Sequence, residues 1–148
     1  MEAQQDFKEL LELLNGRGAE YVIVGAHALA FHGVPRYTGD MDLYVRPTAT
    51  NATRVMGALA DFGFGSLGLS EKDFSSADRV IQLGYPPVRI DLVTSLSGVS
   101  WEEVSANVVD GEYGDVPVKY IGRAEFVKNK RAIGRKKDLA DLEALGVE

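Results

Sequence analysis

Apolar positions along the chain follow several distinct rhythms. In residues 4–15, Phe7, Leu10, Leu11 and Leu14 recur at three- and four-residue spacing, which predicts an amphipathic helix; Gly16 and Gly18 end it. The run YVIVG (21–25) is almost wholly apolar and short, the pattern of a strand buried on both faces. AHALAFH (26–32) predicts a helix that begins at Gly25 and ends at Gly33 and Pro35. DMDLYVRP (40–47) alternates and stops at Pro47, as a strand does. Residues 50–61 predict a second amphipathic helix with Val55, Met56 and Leu59 inward, and the Gly- and Ser-rich residues 63–78 predict a loop. RVIQLGY and VRIDLVTS flank Pro86 and Pro87 and predict two strands. Ser100 and Glu103 form a capping-box pattern at the head of a helix. EYGDVPVKYIG predicts a hairpin and a further strand, and 123–134 and 136–145 predict two helices parted near Gly134. The order α-β-α-β-α-β-β-α-β-α-α predicts an α/β (α+β) fold, a mixed sheet with helices packed on it. No repeat or linker divides the chain, so residues 1–148 are expected to be one domain.

Two aspartates in the fourth of these segments raise a charge question. Residues i and i+2 of a strand point the same way, so Asp40 and Asp42 share one face while Met41 and Leu43 take the other. Each carboxylate raises the cost of ionising its neighbour unless a cation relieves it, and the strand carries no basic residue before Arg46. A divalent hard cation answers this, because Mg²⁺ takes carboxylate oxygens and fills its other positions with water and phosphate. A solvated pair on an edge strand answers it too. Asp91 adds weight to the first: it sits in RIDLV between Ile90 and Leu92, where an ionisable group must be paired or emerge at a site. Arg89, two residues earlier on the same face, is one available partner; a place beside Asp40 and Asp42 is the other. Three carboxylates can hold two Mg²⁺ ions about 4 Å apart for in-line phosphoryl transfer. The turn VGAHALA adds free backbone N–H groups and the positive end of a helix, a suitable place for phosphate.

Composition narrows the classes. The chain has no cysteine, which excludes disulfides and thiolate metal sites. It holds no apolar run of about 18 residues, so no membrane partner is expected. An acidic amphipathic start rather than a basic leader, with the absence of cysteine, suits the cytoplasm. Net charge is −6, yet eight of the 16 basic residues and only one of the 22 acids fall in residues 119–137. That segment is equally well a phosphate contact or a helix with internal ion pairs to Asp138 and Asp141. His27 and His32 are five apart and lack the spacing of a helical zinc site; His32 is better placed as a helix end. The aromatic residues are too scattered for a base-stacking platform.

Taken together, a glycine-led strand–helix turn, D-x-D about fifteen residues on, and a third aspartate in a later strand resemble the nucleotidyltransferase superfamily of DNA polymerase beta. VGAHALAFHGVPRYTGDMDLYV is similar to the small bacterial AbiEii-type and related stand-alone nucleotidyltransferase domains, and EFVKNKRAIGRKKDLADLEAL to their closing motif. The resemblance spans roughly residues 18–146 and implies the nucleotidyltransferase fold and a Mg²⁺-dependent transfer of NMP from an NTP to a hydroxyl. It implies that Asp40 and Asp42 ligate both Mg²⁺ ions and that Asp91 completes the catalytic metal site and assists deprotonation of the acceptor. It implies that Gly25 and the Ala26 backbone hold the β- and γ-phosphates, that Arg36 and Thr38 face the site, and that Lys130, with Lys128 beside it, contacts a phosphate. Arg135, Lys136, Asp138 and Asp141 match the closing helix. The acceptor, an RNA end, a protein or a small molecule, is left open. A small helical partner protein is expected if the chain is half of a toxin–antitoxin or phage-defence pair. Ala26 departs from the superfamily, which usually has Gly or Ser there, and loses a hydroxyl that binds phosphate. Two other functions compete: a glycosyltransferase use of D-x-D, and a degenerate nucleotidyltransferase-fold domain acting as a binding or partner module.

Overall fold

The computed structural model describes residues 3–35, 38–65, 68–85 and 88–147. Helix α1 (Gln5–Gly16) buries Phe7, Leu10, Leu11 and Leu14, the four positions its period selects. Strand β1 (Tyr21–Val24) leads directly into α2 (Gly25–Phe31), and β2 (Asp40–Val45) returns beside it. Helix α3 (Ala49–Leu59), N-capped by Thr48, passes into a π-helical turn at Ala60–Phe64 that kinks at Gly63. Helix α4 (Glu71–Ser75) precedes β3 (Val80–Tyr85) and β4 (Val88–Val93). Helix α5 (Trp101–Ala106) carries the expected capping box, with Ser100 and Glu103 bonding each other's backbone N–H. Strands β5 (Val109–Tyr113) and β6 (Val116–Tyr120), then α6 (Arg123–Ile133) and α7 (Lys136–Ala144), complete the chain.

The strands form one six-stranded mixed sheet in the order β3-β4-β2-β1-β6-β5. β2 is antiparallel to β1 and parallel to β4, and β1 is parallel to β6. Two expectations need correcting. EYGDVPVKYIG contributes to the hairpin β5–β6 and to no third strand, because Gly122 already N-caps α6. The stretch 63–78 is not all loop: α4 lies within it, opens with a Ser70–Asp73 capping box and seats Phe74 in the core. Five residues are too few for a helical period to show, so the S-x-x-D cap was the available signal.

Asn51, on α3, fixes the far end of β1 and of β2, the strand that carries Asp40 and Asp42. It is buried; its Oδ1 accepts from Glu20 N (2.6 Å), and its Nδ2 donates to the Glu20 and Arg46 carbonyls at 2.9 and 3.0 Å. Three backbone groups just before β1 and just after β2 are thus satisfied by one side chain.

The last two helices are joined by a buried ionic clamp. Asp138 is fully buried at the first turn of α7; its Oδ2 accepts from Arg135 Nε (2.7 Å) and from the Arg135 backbone N–H (3.1 Å), and its Oδ1 from Lys130 Nζ of α6 (3.2 Å). Lys130 Nζ also lies 3.6 Å from Asp141. The hydrogen bond from Arg135, aided by Lys130 and opposed by burial, holds the Asp138 carboxyl down at about 2. A carboxyl whose folded pKa lies below its unfolded value stabilises the fold above about pH 4, and that share is lost as pH falls through about 2. The shift corresponds to about 2 kcal/mol. Asp138→Asn should destabilise the protein by about 3 kcal/mol at pH 7 in urea denaturation, the deficit shrinking as pH falls from 4 toward 2.

Candidate active site

The carboxylates meet because β2 and β4 pair in parallel with Asp42 opposite Asp91 and Asp40 opposite Arg89. In-register residues of adjacent strands point to the same side, so Asp40, Asp42, Arg89 and Asp91 form one polar patch. The alternate residues Met41, Leu43, Ile90 and Leu92 go to the other face and are buried in the core. Burying that apolar set fixes the register, and a one-residue slip of either strand would drive the carboxylates into the core.

β1 contributes the third side. Its last residue, Val24, is opposite Asp42, and Gly25 follows with φ +68°. A Cβ at Gly25 would collide with Asp42 Oδ2. Glycine is therefore needed twice over here, for the left-handed turn and for the carboxylate that packs on it. No side chain caps the α2 N-terminus, and Ala26, which follows Gly25, is only partly buried.

Asp42 bears the electrostatic strain. Burial, then the charges of Asp91 and Asp40, push its carboxyl up to about 6, while Lys130 pulls weakly the other way. Asp40 and Asp91 have a local cation: Arg89 Nη2 donates to Asp40 Oδ2 (3.0 Å) and to Asp91 Oδ2 (3.2 Å). Arg89 thus takes both the partner role anticipated for it at Asp91 and a second at Asp40, across the strand pair. The other oxygen of Asp91, Oδ1, is buried without a hydrogen-bond partner among the described residues, and so is Arg89 Nε.

The remaining predicted residues are distributed as follows. Thr38 Oγ1 accepts from Asp40 N (3.1 Å), which makes it a strand-start hydroxyl next to the cluster. Arg36 lies outside the described residues. Lys130 is close enough to act electrostatically on Asp42, but its ammonium is held in the α6–α7 clamp. Lys128 is directed elsewhere, its Nζ 2.6 Å from Glu103 of α5. His27 is buried between the rings of Phe7 and Tyr113, with Nε2 unpartnered, and burial lowers its pKa below the ordinary histidine value. His32 ends α2 as expected, its Nε2 2.7 Å from the Ile121 carbonyl. A cavity of about 580 Å³ lies between Tyr21, Trp101 and Val118, at the opposite end of β1, and includes none of the carboxylates.

The donors suit a hard cation: carboxylate oxygens, one of them buried and unpartnered, on a site whose central acid resists ionising without positive charge nearby. Among the described residues, however, no three His, Asp or Glu side chains converge as a ready-made cage. The Arg89 guanidinium already bridges Asp40 and Asp91.

No protein-family model matches the chain, and no curated protein matches it. Solved structures do. A Thermotoga maritima protein, whose own assignment as a nucleotidyltransferase is provisional, superposes with TM-score 0.63 at 13% identity, over 93% of this chain and 88% of that one. An antigenic nucleotidyltransferase-like protein from Paracoccidioides brasiliensis gives TM-score 0.56 at 19% identity, over 97% of this chain and 75% of that one. The chain has the nucleotidyltransferase fold. Among the described residues no helix is long and apolar enough to cross a membrane.

The charge on Asp42 has a measurable consequence. A carboxyl whose folded pKa is raised costs nothing below its unfolded value of about 4; the cost grows through about 6 and is complete above it. Asp42→Asn should therefore stabilise the protein at pH 7.5 by up to about 3 kcal/mol, a rise of several degrees in Tm, with no gain at pH 4.

Proposed function

We propose that the chain is a Mg²⁺-dependent nucleotidyltransferase of the small stand-alone, AbiEii-like kind, which transfers NMP from an NTP to a hydroxyl and releases pyrophosphate. The observation that carries this is the Asp42–Asp91 register of β2 and β4, which sets three carboxylates and the Gly25 turn at one end of a nucleotidyltransferase-fold sheet. Asp40, Asp42 and Asp91 would hold two Mg²⁺ ions. When bound, those ions supply charge neutralisation for the triphosphate and for the attacking and leaving oxygens. Gly25 and the Ala26 N–H would receive the β- and γ-phosphates, with Thr38 and Arg36 on the approach and Lys130 supplying positive charge from α6; Lys128, paired with Glu103, would have to leave that partner to join it. Asp91 would accept the proton of the acceptor hydroxyl as its oxygen bonds to the α-phosphorus. The bond from that phosphorus to the bridging oxygen breaks, and pyrophosphate leaves with the electron pair. The acceptor is an RNA end, a protein or a small molecule, and a two-protein toxin–antitoxin or defence pair in the cytoplasm, with a small helical partner, is the biological setting we favour.

A second reading, a degenerate binding or partner module, draws support from Ala26 in place of a phosphate-binding hydroxyl and from the Arg89 bridge across two of the carboxylates. Transfer from alpha-labelled NTPs separates the two. The wild type should label an acceptor in a Mg²⁺-dependent manner, and Asp42→Asn should lose at least about 100-fold while keeping its far-UV spectrum; undiminished transfer by the folded variant refutes the metal assignment. For the module, ATP, CTP, GTP and UTP should leave the Tm unchanged with or without Mg²⁺, whereas an active site predicts a Mg²⁺-dependent rise with at least one of them. Gly25→Ala, which drives a methyl into Asp42 Oδ2, should reduce transfer at least as strongly as it reduces stability.

A further inference from the structure

We propose that Arg89 is an internal latch on the metal site: its guanidinium stands between Asp40 and Asp91 in place of a divalent cation and must be displaced before the cation binds. The proposal rests on the metal reading above and adds a residue that reading does not use. Three observations carry it. Arg89 Nη2 donates to one oxygen of each carboxylate, at 3.0 and 3.2 Å, and so bridges the two strands at the point where an ion would. Asp91 is 8% exposed, its second oxygen has no hydrogen-bond donor among the described residues, and its carboxylate lies within reach of the Asp42 carboxyl, so these two acids and Asp40 have one bridging guanidinium among them. Among the described residues the three aspartates form no ready-made cage, so a cation entering there meets a bridge already in place.

The exchange is chemically balanced. One univalent guanidinium leaves two carboxylates and a divalent ion enters, so local negative charge falls further and Asp42 gains the cation that Arg89 does not give it. The freed guanidinium remains at the rim of the site, where triphosphate oxygens are a natural acceptor for its fork of donors. Metal alone should then bind weakly, and metal with a nucleotide should bind much better, because the triphosphate offers the displaced arginine a new partner.

Arg89→Gln and Arg89→Lys test this by direct Mn²⁺ titration, followed by electron paramagnetic resonance and checked by calorimetry. Lysine keeps the charge but is a single point donor that does not span two carboxylates. Arg46→Gln, which removes an arginine paired with Glu20 beyond the far end of β2, controls for net charge. We expect Mn²⁺ to bind Arg89→Gln about tenfold or more tighter than wild type, Arg89→Lys tighter by a smaller factor, and Arg46→Gln within twofold. We also expect the metal-free Arg89→Gln protein to melt below wild type and to gain more in Tm from Mn²⁺. Equal or weaker Mn²⁺ binding by both folded Arg89 variants, with wild type still binding, overturns the latch and leaves the metal site standing. Equal tightening by Arg46→Gln also overturns it, since net charge then explains the effect. If wild type and all variants fail to bind Mn²⁺ at millimolar concentration, the latch and the metal reading fall together. If Arg89→Gln does not fold, Arg89→Lys against Arg46→Gln decides alone.

Discussion

Repulsion among three carboxylates at one end of the sheet is the constraint around which this molecule is arranged. It arises from backbone pairing: the parallel register of β2 and β4 sets Asp42 against Asp91, and the apolar alternation of both strands forbids relaxation by slipping. The neighbouring features answer that repulsion. Arg89 offsets the outer pair, Gly25 lacks the side chain that would push Asp42 away, and Lys130 supplies a weaker field from α6. Asn51 holds the opposite ends of β1 and β2, so that the two strands present Gly25 and Asp42 to each other without splaying. A fold under selection for stability alone has no reason to concentrate like charge and then restrain it, because apolar or singly paired residues would be more stable there.

Much of this was legible in the chain, and the limits have physical causes. Helices α1 and α3 carry clear periods and β1 is a short apolar run, so their existence and burial followed from the order of apolar residues. The common face of Asp40 and Asp42 followed from the two-residue repeat of a strand. Helix α4 did not show, since five residues leave no period to read. The Arg89–Asp40 contact was hidden for another reason: only Asp91 is near Arg89 in the chain, and the link to Asp40 exists only once β2 and β4 are adjacent and in register. Asn51 looks like any polar residue on a helix; its burial depends on where two loops pass. Gly25 was expected to admit a phosphate, and the structure adds a reason that precedes any ligand, the collision of a side chain with Asp42. The overall likeness to solved nucleotidyltransferase-fold proteins, at 13% and 19% identity, speaks for the scaffold; chemistry has to be argued from these few residues.

The basic segment near the C-terminus gives the converse lesson. As a string of charges it suggests a surface for phosphate or nucleic acid. In the fold, Lys119 pairs with Asp110, Lys128 with Glu103, Lys130 and Arg135 with Asp138, and Arg123 donates to the Leu145 carbonyl. These five cations have partners within the chain, and Lys130, the most buried of them, secures α7 to α6. Exposed pairs such as Lys119–Asp110 contribute little to stability, but each neutralises a charge that a polyanion would otherwise meet.

That internal use of positive charge bears on how a triphosphate could be held. Among the described residues, the cations that act on these carboxylates, Arg89 and Lys130, are both engaged. A bare NTP would face three carboxylates with little to offset them. An NTP that arrives with its own divalent ions brings the charge that the site lacks and at the same time supplies phosphate oxygens for an arginine released from Asp40 and Asp91. On the proposed function, substrate and metal are thus thermodynamically coupled: each improves binding of the other, because the carboxylates repel the nucleotide alone and Arg89 opposes the metal alone. The arrangement seen without ligands, with three acids on adjacent strands, one arginine bridging two of them and Lys130 held in the α6–α7 clamp, is what would make the metal–nucleotide complex the preferred ligand rather than either component.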